Sequence, residues 1–390
     1  GRRVIRATGP LREVLSETPL VDHHAHGVLL APPASIDEFR GLFSESGDPR
    51  QWPHVATGAM YQRAIPLLAE QLGCEATEAA VYEHRRSRDP SEYAAQLLRA
   101  TGTDLLLLDD GFPPPGVGTS CAQLGELAGC DARPVMRIER VAEEAGEDRL
   151  ADDPPDHGRL DHDRLDRDPL DHDRLDRVRA GVESARADGF VALKTIVAYR
   201  GGLDLDALAA PSRTDRLEGA PLRGVLMAAL EANEATGDPL PVQVHTGFGD
   251  SDLLLPAARP GLLKPLIERF RETTFVLLHC YPFIREAGWL AHVYGNVYFD
   301  LSLTIPHVSR PAVALAEALE LAPVSKLLYA SDAARAPELY LLASAWWRDA
   351  LAEVLPALLS DDGAVSATRM ILRDNALRVY RLGDRAVTSI

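Results

Sequence analysis

Short apolar runs alternate with longer helical segments along most of this chain. Segments such as 222–237 and 261–272 carry apolar residues at helical spacing, whereas the short runs are apolar on both faces. Strands buried on both faces and separated by helices are typical of a parallel sheet covered by helices. The short runs lie at 19–26, 103–111, 133–139, 190–200, 240–247, 274–281, 296–302 and 326–332.

Eight strand–helix units predict an α/β fold, a (β/α)8 TIM-type barrel that forms a single domain over residues 1–390. The alternative is an open, doubly wound sheet. The dinucleotide-binding form of that fold carries a GxGxxG turn after its first strand, and no such motif follows 19–26. The barrel is therefore the better interpretation.

Two connections are longer than a barrel requires. Residues 28–101 follow the first strand and show mostly helical patterns after Trp52, so we expect a helical insertion that lies over the barrel mouth as a lid. Residues 152–177 precede the fourth strand and contain the near-repeat DHDRL, whose five-residue period matches neither a helix nor a strand. This low-complexity, charged insertion is expected to be solvated, and it need not be ordered.

The composition and charge of the chain limit the classes of partner that it is expected to bind. The chain has 46% hydrophobic residues and a net charge of −17, which makes nucleic acid and anionic membranes poor partners. No run reaches the ~18 apolar residues of a membrane span, and no apolar signal segment follows the N-terminus. The four cysteines show no CxxC spacing. We therefore expect a cytoplasmic protein with reduced thiols that acts on a small molecule, and a homo-oligomer is left open.

The stretch VDHHAHG (21–27) crowds three histidines at the end of the first strand. Alternate side chains of a strand share a face, so Asp22, His24 and His26 are expected on one side and His23 on the other. His24 and His26 then form a pair that can chelate one cation, with Asp22 holding the pair from below. A purely structural pair is the alternative, but two imidazoles on an apolar strand need partners to offset their desolvation.

Three further strands end in residues of the same kind. His245 ends the fifth strand with Gln243 on the same face, His279 ends the sixth, and Asp332 ends the eighth. In a barrel all these strand ends meet at one mouth, where active sites are built. Matched residues at four strand ends predict a metal site rather than separate structural histidines.

These candidate ligands, together with the motifs DHHAH, MRIE, ALKTIVAYRGGL, HTGFGD and ILRDNALRVYRL, resemble the amidohydrolase superfamily. The closer resemblance is to its amidohydrolase 2 branch and to the nodulin-like domain fused to glutamine synthetase in some fungal and plant proteins. It covers nearly the whole chain apart from the DHDRL stretch. The resemblance implies a divalent metal bound by His24, His26, His245 and Asp332, with zinc as the first choice and manganese as the second.

The number of metal ions stays open between one and two. With one ion His279 is free to act as an acid or base, and with two ions it becomes a ligand. Lys194, on the fourth strand, stands where binuclear members of the superfamily carry a carboxylated lysine that bridges the metals. The alternatives are a lysine that does not bridge, as is frequent in the amidohydrolase 2 branch, and a lysine that pairs with Glu139 or Asp300 inside the barrel.

A divalent cation held in this way lowers the pKa of bound water toward ~7. Asp332 is then placed to take a proton from the water and to pass it to a leaving amine. This predicts a metal-dependent hydrolase of an amide or related C–N bond. Two alternatives share the ligand set: a metal-dependent, non-oxidative decarboxylase, and an inactive relative that serves as a binding module. The intact Asp332 and His279 argue against the inactive relative.

Candidate substrate contacts follow from residues near the barrel mouth. A planar guanidinium suits a substrate carboxylate. The resemblance to the glutamine synthetase fusions suggests a small, carboxylate-bearing amide such as a γ-glutamyl compound. For the arginines, structural ion pairs are the alternative. The candidates are Tyr199, Arg200, Arg137, Glu139, Gln243 and Arg335.

Overall fold

Eight parallel strands follow one another around a barrel in the computed structural model, which describes residues 7–109, 111–114, 116–144, 172–206 and 217–383. Hydrogen bonds of 2.9 Å from His26 N to Ala333 O and from Asp332 N to His24 O join the first strand to the loop after the last. The predicted (β/α)8 barrel is confirmed. The strands are β1 (Leu20–Ala25), β2 (Thr103–Leu108), β3 (Asp131–Arg137), β4 (Ala192–Thr195), β5 (Val242–Thr246), β6 (Phe275–His279), β7 (Val297–Asp300) and β8 (Leu327–Leu328).

Helices surround the barrel and connect its strands. They are α1 (Gly9–Glu17), α2 (Ile36–Gly41), α3 (Trp52–Val55), α4 (Ala59–Leu72), α5 (Glu78–Ser87), α6 (Pro90–Ala100), α7 (Cys121–Ala128), α8 (His172–Ser184), α9 (Gly219–Ala235), α10 (Lys264–Arg269), α11 (Ile284–Val293), α12 (Thr304–His307), α13 (Pro311–Leu319), α14 (Pro337–Leu358), α15 (Asp361–Arg369) and α16 (Asn375–Val379). A further helical stretch, 138–144, begins directly after β3. None of the helices in the described ranges combines the length and the apolar character that a membrane span requires.

Two strands end four or more residues earlier than their apolar runs predict. β4 stops at Thr195, so Tyr199 and Arg200 lie in a short 3-10 turn, Val197–Arg200. β8 contains only Leu327–Leu328, so Asp332 lies in the loop that follows it. Both sites therefore lie on loops at the barrel mouth, where binding and catalytic residues are common.

The long connection between β1 and β2 contains α2 to α6. The last of these helices, α6, packs against α7 and α14 and belongs to the barrel wall, so the insertion proper is shorter than predicted. Phe39, Phe43 and Tyr61 form an aromatic cluster with ring centroids 5.1–6.5 Å apart, which holds α2 against α4. The loop after α2 reaches the barrel mouth, where Arg335 Nη2 donates to Ser44 O at 3.0 Å.

The charged DHDRL stretch lies outside the described residues except at its end. Residues 172–177 form the first turns of α8, whose Val178 and Val182 are buried in the core. The predicted insertion 152–177 therefore extends too far, because its end is part of the barrel wall.

The lower end of the barrel is filled by apolar side chains. Val21, Leu105, Val135 and Leu328 form part of one buried cluster with Tyr380, which follows α16 and closes this end. The barrel is therefore a packed core here rather than a pore. Polar side chains lie above this cluster, toward the carboxyl ends of the strands.

Candidate metal and catalytic site

Three side chains converge at the upper end of the barrel, two from the end of β1 and one from the loop after β8. His24 Nε2 lies 2.9 Å and His26 Nε2 lies 3.3 Å from Asp332 Oδ1. The three candidate ligand atoms all lie within 4.8 Å of one another. Residues far apart in the sequence meet here because β1 lies beside the end of β8 in the closed barrel.

Strict alternation along β1 does not hold. The pairing of β1 with β2 shifts register between Asp22 and Ala25, so one extra residue is accommodated in β1. As a result His23 lies inside the barrel together with His24, and its ring contacts Tyr380. Asp22 instead accepts a hydrogen bond from Ser331 N at 2.9 Å and does not support the histidine pair from below.

Each histidine of the pair has its Nδ1 atom next to an acceptor. His24 Nδ1 lies 2.9 Å from Gln243 Oε1, and the orientation of the Gln243 amide is set by Nε2, which donates to His23 O. His26 Nδ1 lies 2.9 Å from the backbone oxygen of Asp109. Because both partners accept, the neutral rings carry their protons on Nδ1, and both Nε2 atoms turn a lone pair toward Asp332. The Nε2 atom of His24 also lies 3.1 Å from Lys194 Nζ.

Three hydrogen-bond acceptor atoms therefore lie close together. The Nε2 atoms of His24 and His26 face Asp332 Oδ1, which receives no hydrogen bond from the described part of the chain. Buried lone pairs that point at one another are costly unless a cation lies between them. Two imidazole nitrogens and a carboxylate oxygen are ligands that zinc and similar metals take in proteins. The residues therefore fit a divalent metal ion.

Two more histidines border the same space. His279 Nδ1 lies 2.7 Å from Ser302 Oγ, and the His279 ring centroid lies 4.5 Å from that of His245. The buried Nε2 of His245 has no hydrogen-bond partner among the residues described, which fits a metal ligand. The structure thus brings all five predicted metal and acid–base residues to one place, while their roles as ligands stay a prediction.

Burial puts these groups in the protonation states that a cation needs. It lowers the pKa of His24 to about 4, and it lowers the pKa of His245 and of His279 well below the usual value. Burial raises the pKa of Asp332, but the surrounding histidines, His279 foremost, outweigh it and hold that pKa well below its ordinary value. Neutral imidazoles and an ionised carboxylate require little proton release when a metal binds.

Lys194 on β4 is buried beside the pair. Its Nζ lies 3.1 Å from His24 Nε2, so it faces the candidate ligands. The carboxylate of Glu139 accepts hydrogen bonds from Thr195 Oγ1 and Ile196 N instead. A direct pair between Lys194 and Glu139, one of the predicted alternatives, is therefore wrong.

A cavity of about 350 Å³ opens above these groups. Arg137 is tied to Asp109 at 2.6 Å, and Arg200 is tied to Glu143 at 2.9 Å, as the ion-pair alternative predicts. Arg335 differs, because its buried Nε atom makes no hydrogen bond to any described group. The predicted contacts that line the cavity are Tyr199, Arg137, Arg200 and Arg335.

Two predicted substrate contacts do not line the cavity. Gln243 is fully buried, and its amide binds His24 and Tyr380 inside the barrel. Glu139 is also fully buried and binds Thr195. Alternation along a strand indicates which side a residue faces, but not how deep it lies. The prediction that Gln243 and Glu139 contact the substrate is therefore wrong, because both side chains lie below the cavity.

Several residues that line the cavity were not predicted. Glu45 enters from the loop after α2, Phe112 from the loop after β2, and Asp250 and Asp252 from the loop after β5. Asp250 belongs to the motif HTGFGD, which offered a signal for it. No local pattern marks Glu45, because its position depends on how the insertion folds. Burial raises the pKa of the Glu45 carboxyl group.

Known proteins resemble this chain in sequence and in structure. A family model described as amidohydrolase matches residues 168–382. Protein fluG of Emericella nidulans is 30% identical over 96% of this chain, which spans 47%, about half, of the length of that curated relative. A proposed metal-dependent hydrolase from Lactobacillus casei is 26% identical, with a TM-score of 0.81 over 97% of this chain and 99% of its own. A uronate isomerase from Thermotoga maritima, 13% identical with a TM-score of 0.61 over 96% of this chain and 98% of its own, shares the fold.

Proposed function

Because the chain belongs to the amidohydrolase family, we propose that it is a metal-dependent hydrolase of an amide or related C–N bond in a small, carboxylate-bearing substrate. The observation that carries the proposal is the convergence of His24 Nε2 and His26 Nε2 on Asp332 Oδ1, which has no hydrogen-bond donor among the described residues. The similarity to the proposed metal-dependent hydrolase of Lactobacillus casei supports it.

His24, His26, His245 and Asp332 would hold one divalent cation, zinc as the first choice and manganese as the second. When bound, such an ion lowers the pKa of a water molecule toward ~7 and polarises a carbonyl oxygen. His279 and Lys194 border the same space and would serve a second ion.

Asp332 would act as the general base. Its Oδ1 atom faces the histidine pair, whereas its Oδ2 atom lies on the side of His279, 3.6 Å from Nδ1. One oxygen is therefore left to take a proton from the attacking water and to pass it to the leaving amine. The neighbouring histidines keep the pKa of Asp332 low, so the carboxylate is ionised and able to accept a proton at neutral pH.

His279 would be a second acid–base group. Its Nδ1 proton is donated to Ser302 Oγ, which leaves Nε2 as an acceptor. Neutral His279 therefore accepts a proton first and can return it to the substrate or the product afterwards.

The cavity of about 350 Å³ supports a small-molecule substrate. Arg137 and Arg200 already have carboxylate partners. The Nε atom of Arg335 has no hydrogen-bond partner among the described residues, so we assign the substrate carboxylate to Arg335. Tyr199 would form one wall of the substrate site, because its ring centroid lies 4.5 Å from that of His245. On the resemblance of the motifs, γ-glutamyl amides are the first compounds to test.

Product analysis tests this proposal. Protein loaded with zinc or manganese is incubated with a panel of γ-glutamyl amides and N-acyl amino acids, and released ammonia or amine is quantified. We expect metal-dependent amine release that Asp332→Asn abolishes. Carbon dioxide release without an amine would favour the alternative decarboxylase, and bound metal without any turnover would favour a binding module.

A further inference from the structure

Two buried hydrogen-bond networks lead from the candidate site to one carboxylate, that of Asp300 at the end of β7. Asp300 is fully buried, and its contacts reach both His24 and His279 through other side chains. We propose that Asp300 is a positioning residue that fixes which nitrogen of His24 and of His279 faces the cavity. The roles of these two histidines rest on the proposed function, but the main test needs neither a metal nor a substrate.

The first network leads from His24 down through the barrel. His24 Nδ1 lies 2.9 Å from Gln243 Oε1, and Gln243 Nε2 lies 3.0 Å from the Tyr380 hydroxyl. That hydroxyl lies 3.0 Å from His23 Nδ1. His23 Nε2 lies 3.0 Å from Asp300 Oδ2, off the ideal hydrogen-bond angle, and neither atom has a hydrogen-bond partner elsewhere in the described ranges.

One direction of donation satisfies all these contacts. Gln243 Nε2 also donates to the His23 carbonyl oxygen at 2.7 Å, which favours this orientation of the amide. The Tyr380 oxygen therefore accepts from Gln243, and the Tyr380 proton points to His23 Nδ1. His23 then carries its own proton on Nε2, the atom that faces Asp300. Every proton of the network is directed toward the carboxylate.

The second network is shorter and ends on the other oxygen of the same carboxylate. Ser302 Oγ lies 2.7 Å from His279 Nδ1 and 2.9 Å from Asp300 Oδ1. Asp300 Oδ1 also accepts the backbone N–H groups of His279 and Ser302, at 2.6 and 3.0 Å. Because an ionised carboxylate only accepts, Ser302 donates to Asp300 and accepts from His279 Nδ1. The N–H of Leu303 lies 3.5 Å from the same nitrogen, a contact much longer than the 2.7 Å to Ser302 Oγ. The Nε2 atom of His279 is left free for the cavity.

Asp300 thus sets the direction of both networks at once. Groups that orient a metal ligand from behind typically change metal affinity by about 10–100-fold when they are lost. If these residues only filled the barrel, their replacement would lower stability and leave the histidine tautomers unchanged. The tautomers therefore distinguish a positioning role from a packing role.

The tautomers can be read from the 15N chemical shifts of the imidazoles in metal-free, 15N-histidine-labelled protein. We expect His24 and His279 as Nδ1–H tautomers in the wild type. Asp300→Asn keeps an oxygen for the two backbone N–H groups but places an amide nitrogen opposite His23. It should therefore move the His24 signals toward the Nε2–H form and spare His279. Ser302→Ala should move the His279 signals and spare His24.

Tyr380→Phe breaks the first network without touching Asp300, so it keeps the test decisive if Asp300→Asn does not fold. The matched control is Tyr93→Phe, which removes a buried hydroxyl that contacts Glu338 at 2.9 Å, outside both networks. Tyr380→Phe should move the His24 signals, and Tyr93→Phe should move neither histidine. Unchanged His24 signals in every folded variant of the first network, or Nε2–H tautomers in the wild type, would overturn the proposal.

Zinc affinity, measured by competition with a chromophoric chelator, gives a second readout. We expect Asp300→Asn to weaken zinc binding by about 10–100-fold and Tyr93→Phe to stay within about twofold of the wild type. Equal affinities of Asp300→Asn and the wild type would overturn the positioning role. A wild type that binds no zinc would instead refute the proposed function, and the tautomers of the metal-free protein would still decide the present inference.

Discussion

Asp332 Oδ1 lies 2.9 Å from His24 Nε2, a ring nitrogen that can only accept because His24 Nδ1 carries the proton and donates it to Gln243. Two acceptors at this distance repel each other unless positive charge lies between or beside them. Lys194 Nζ, 3.1 Å from the same nitrogen, supplies some of that charge, yet Asp332 Oδ1 also faces His26 Nε2. The contact between His24 and Asp332 is therefore the point at which the proposed metal site is most easily tested.

We expect His24→Ala to abolish both the bound cation and the turnover. The loss of zinc affinity should exceed the ~10–100-fold that follows from removing a group that only hydrogen-bonds to a ligand, because here a proposed ligand itself is removed. Elemental analysis of protein purified without chelator measures the metal, and His292→Ala, an exposed histidine on α11, is the control. Turnover that persists without metal would contradict the site.

We expect Arg335→Met to raise KM for the amide substrate by about 10–100-fold and to change kcat little, because hydrogen bonds to charged groups contribute ~1.5–3 kcal/mol. Arg200→Met is the matched control. Its effect on KM should be several-fold smaller, since Arg200 is already paired with Glu143. Steady-state kinetics of both variants measure these KM values. Equal increases in KM would contradict the assignment of the substrate carboxylate to Arg335.

We expect Lys194→Met to stabilise the metal-free protein at pH 7 by up to about 3 kcal/mol. Burial lowers the pKa of Lys194 from 10.5 to about 8, with Asp109 and Asp332 opposing the shift. Between these two values the unfolded chain binds more protons than the folded one, so wild-type stability rises with pH. The advantage of the variant is therefore full below pH 8 and disappears as the pH rises toward 10.5.

Urea unfolding at a series of pH values measures this difference. The exposed Lys264 on α10 provides the control variant, Lys264→Met, for which no such gain is expected. A stability difference for Lys194→Met that stays constant from pH 7 to pH 10 would show that the ammonium group is not the cause.

We expect Gly247→Ala to destabilise the fold by about 3 kcal/mol or more and to weaken metal binding through His245. Gly247 has a φ of 73°, and a Cβ atom there would lie 2.3 Å from Tyr281 O. Gly237 has nearly the same φ, 74°, with open space around it, so Gly237→Ala measures the backbone cost alone, about 1 kcal/mol. Equal losses in urea unfolding would mean that the clash with Tyr281 is relieved elsewhere.

The sequence predicted the barrel and the meeting of its five main site residues well, because both depend on repetition. Short runs that are apolar on both faces indicate parallel strands, and the closed barrel brings the carboxyl ends of these strands to one rim. His245, His279 and Asp332 could therefore be grouped with the β1 histidines although no local motif joins them.

The errors arose where position depends on details that alternation does not carry. The register shift in β1 places the adjacent His23 and His24 both inside the barrel while Asp22 lies on the other side, and a bulge of this kind leaves no periodic signal. Gln243 and Glu139 were assigned to the substrate although they lie too deep. Glu45 and Tyr380 were missed because an inserted loop and a distant helix bring them in.

The groups of the candidate site lie far apart in the sequence: His24 on β1, His26 directly after it, Asp332 in the loop after β8, and Tyr380 after α16. A ribosome must therefore have synthesised the whole segment from His24 to Tyr380 before these groups can meet. A nascent chain that has not reached residue 332 cannot bring Asp332 to the histidine pair, so binding of the proposed ion by all three groups would occur only once the barrel can close.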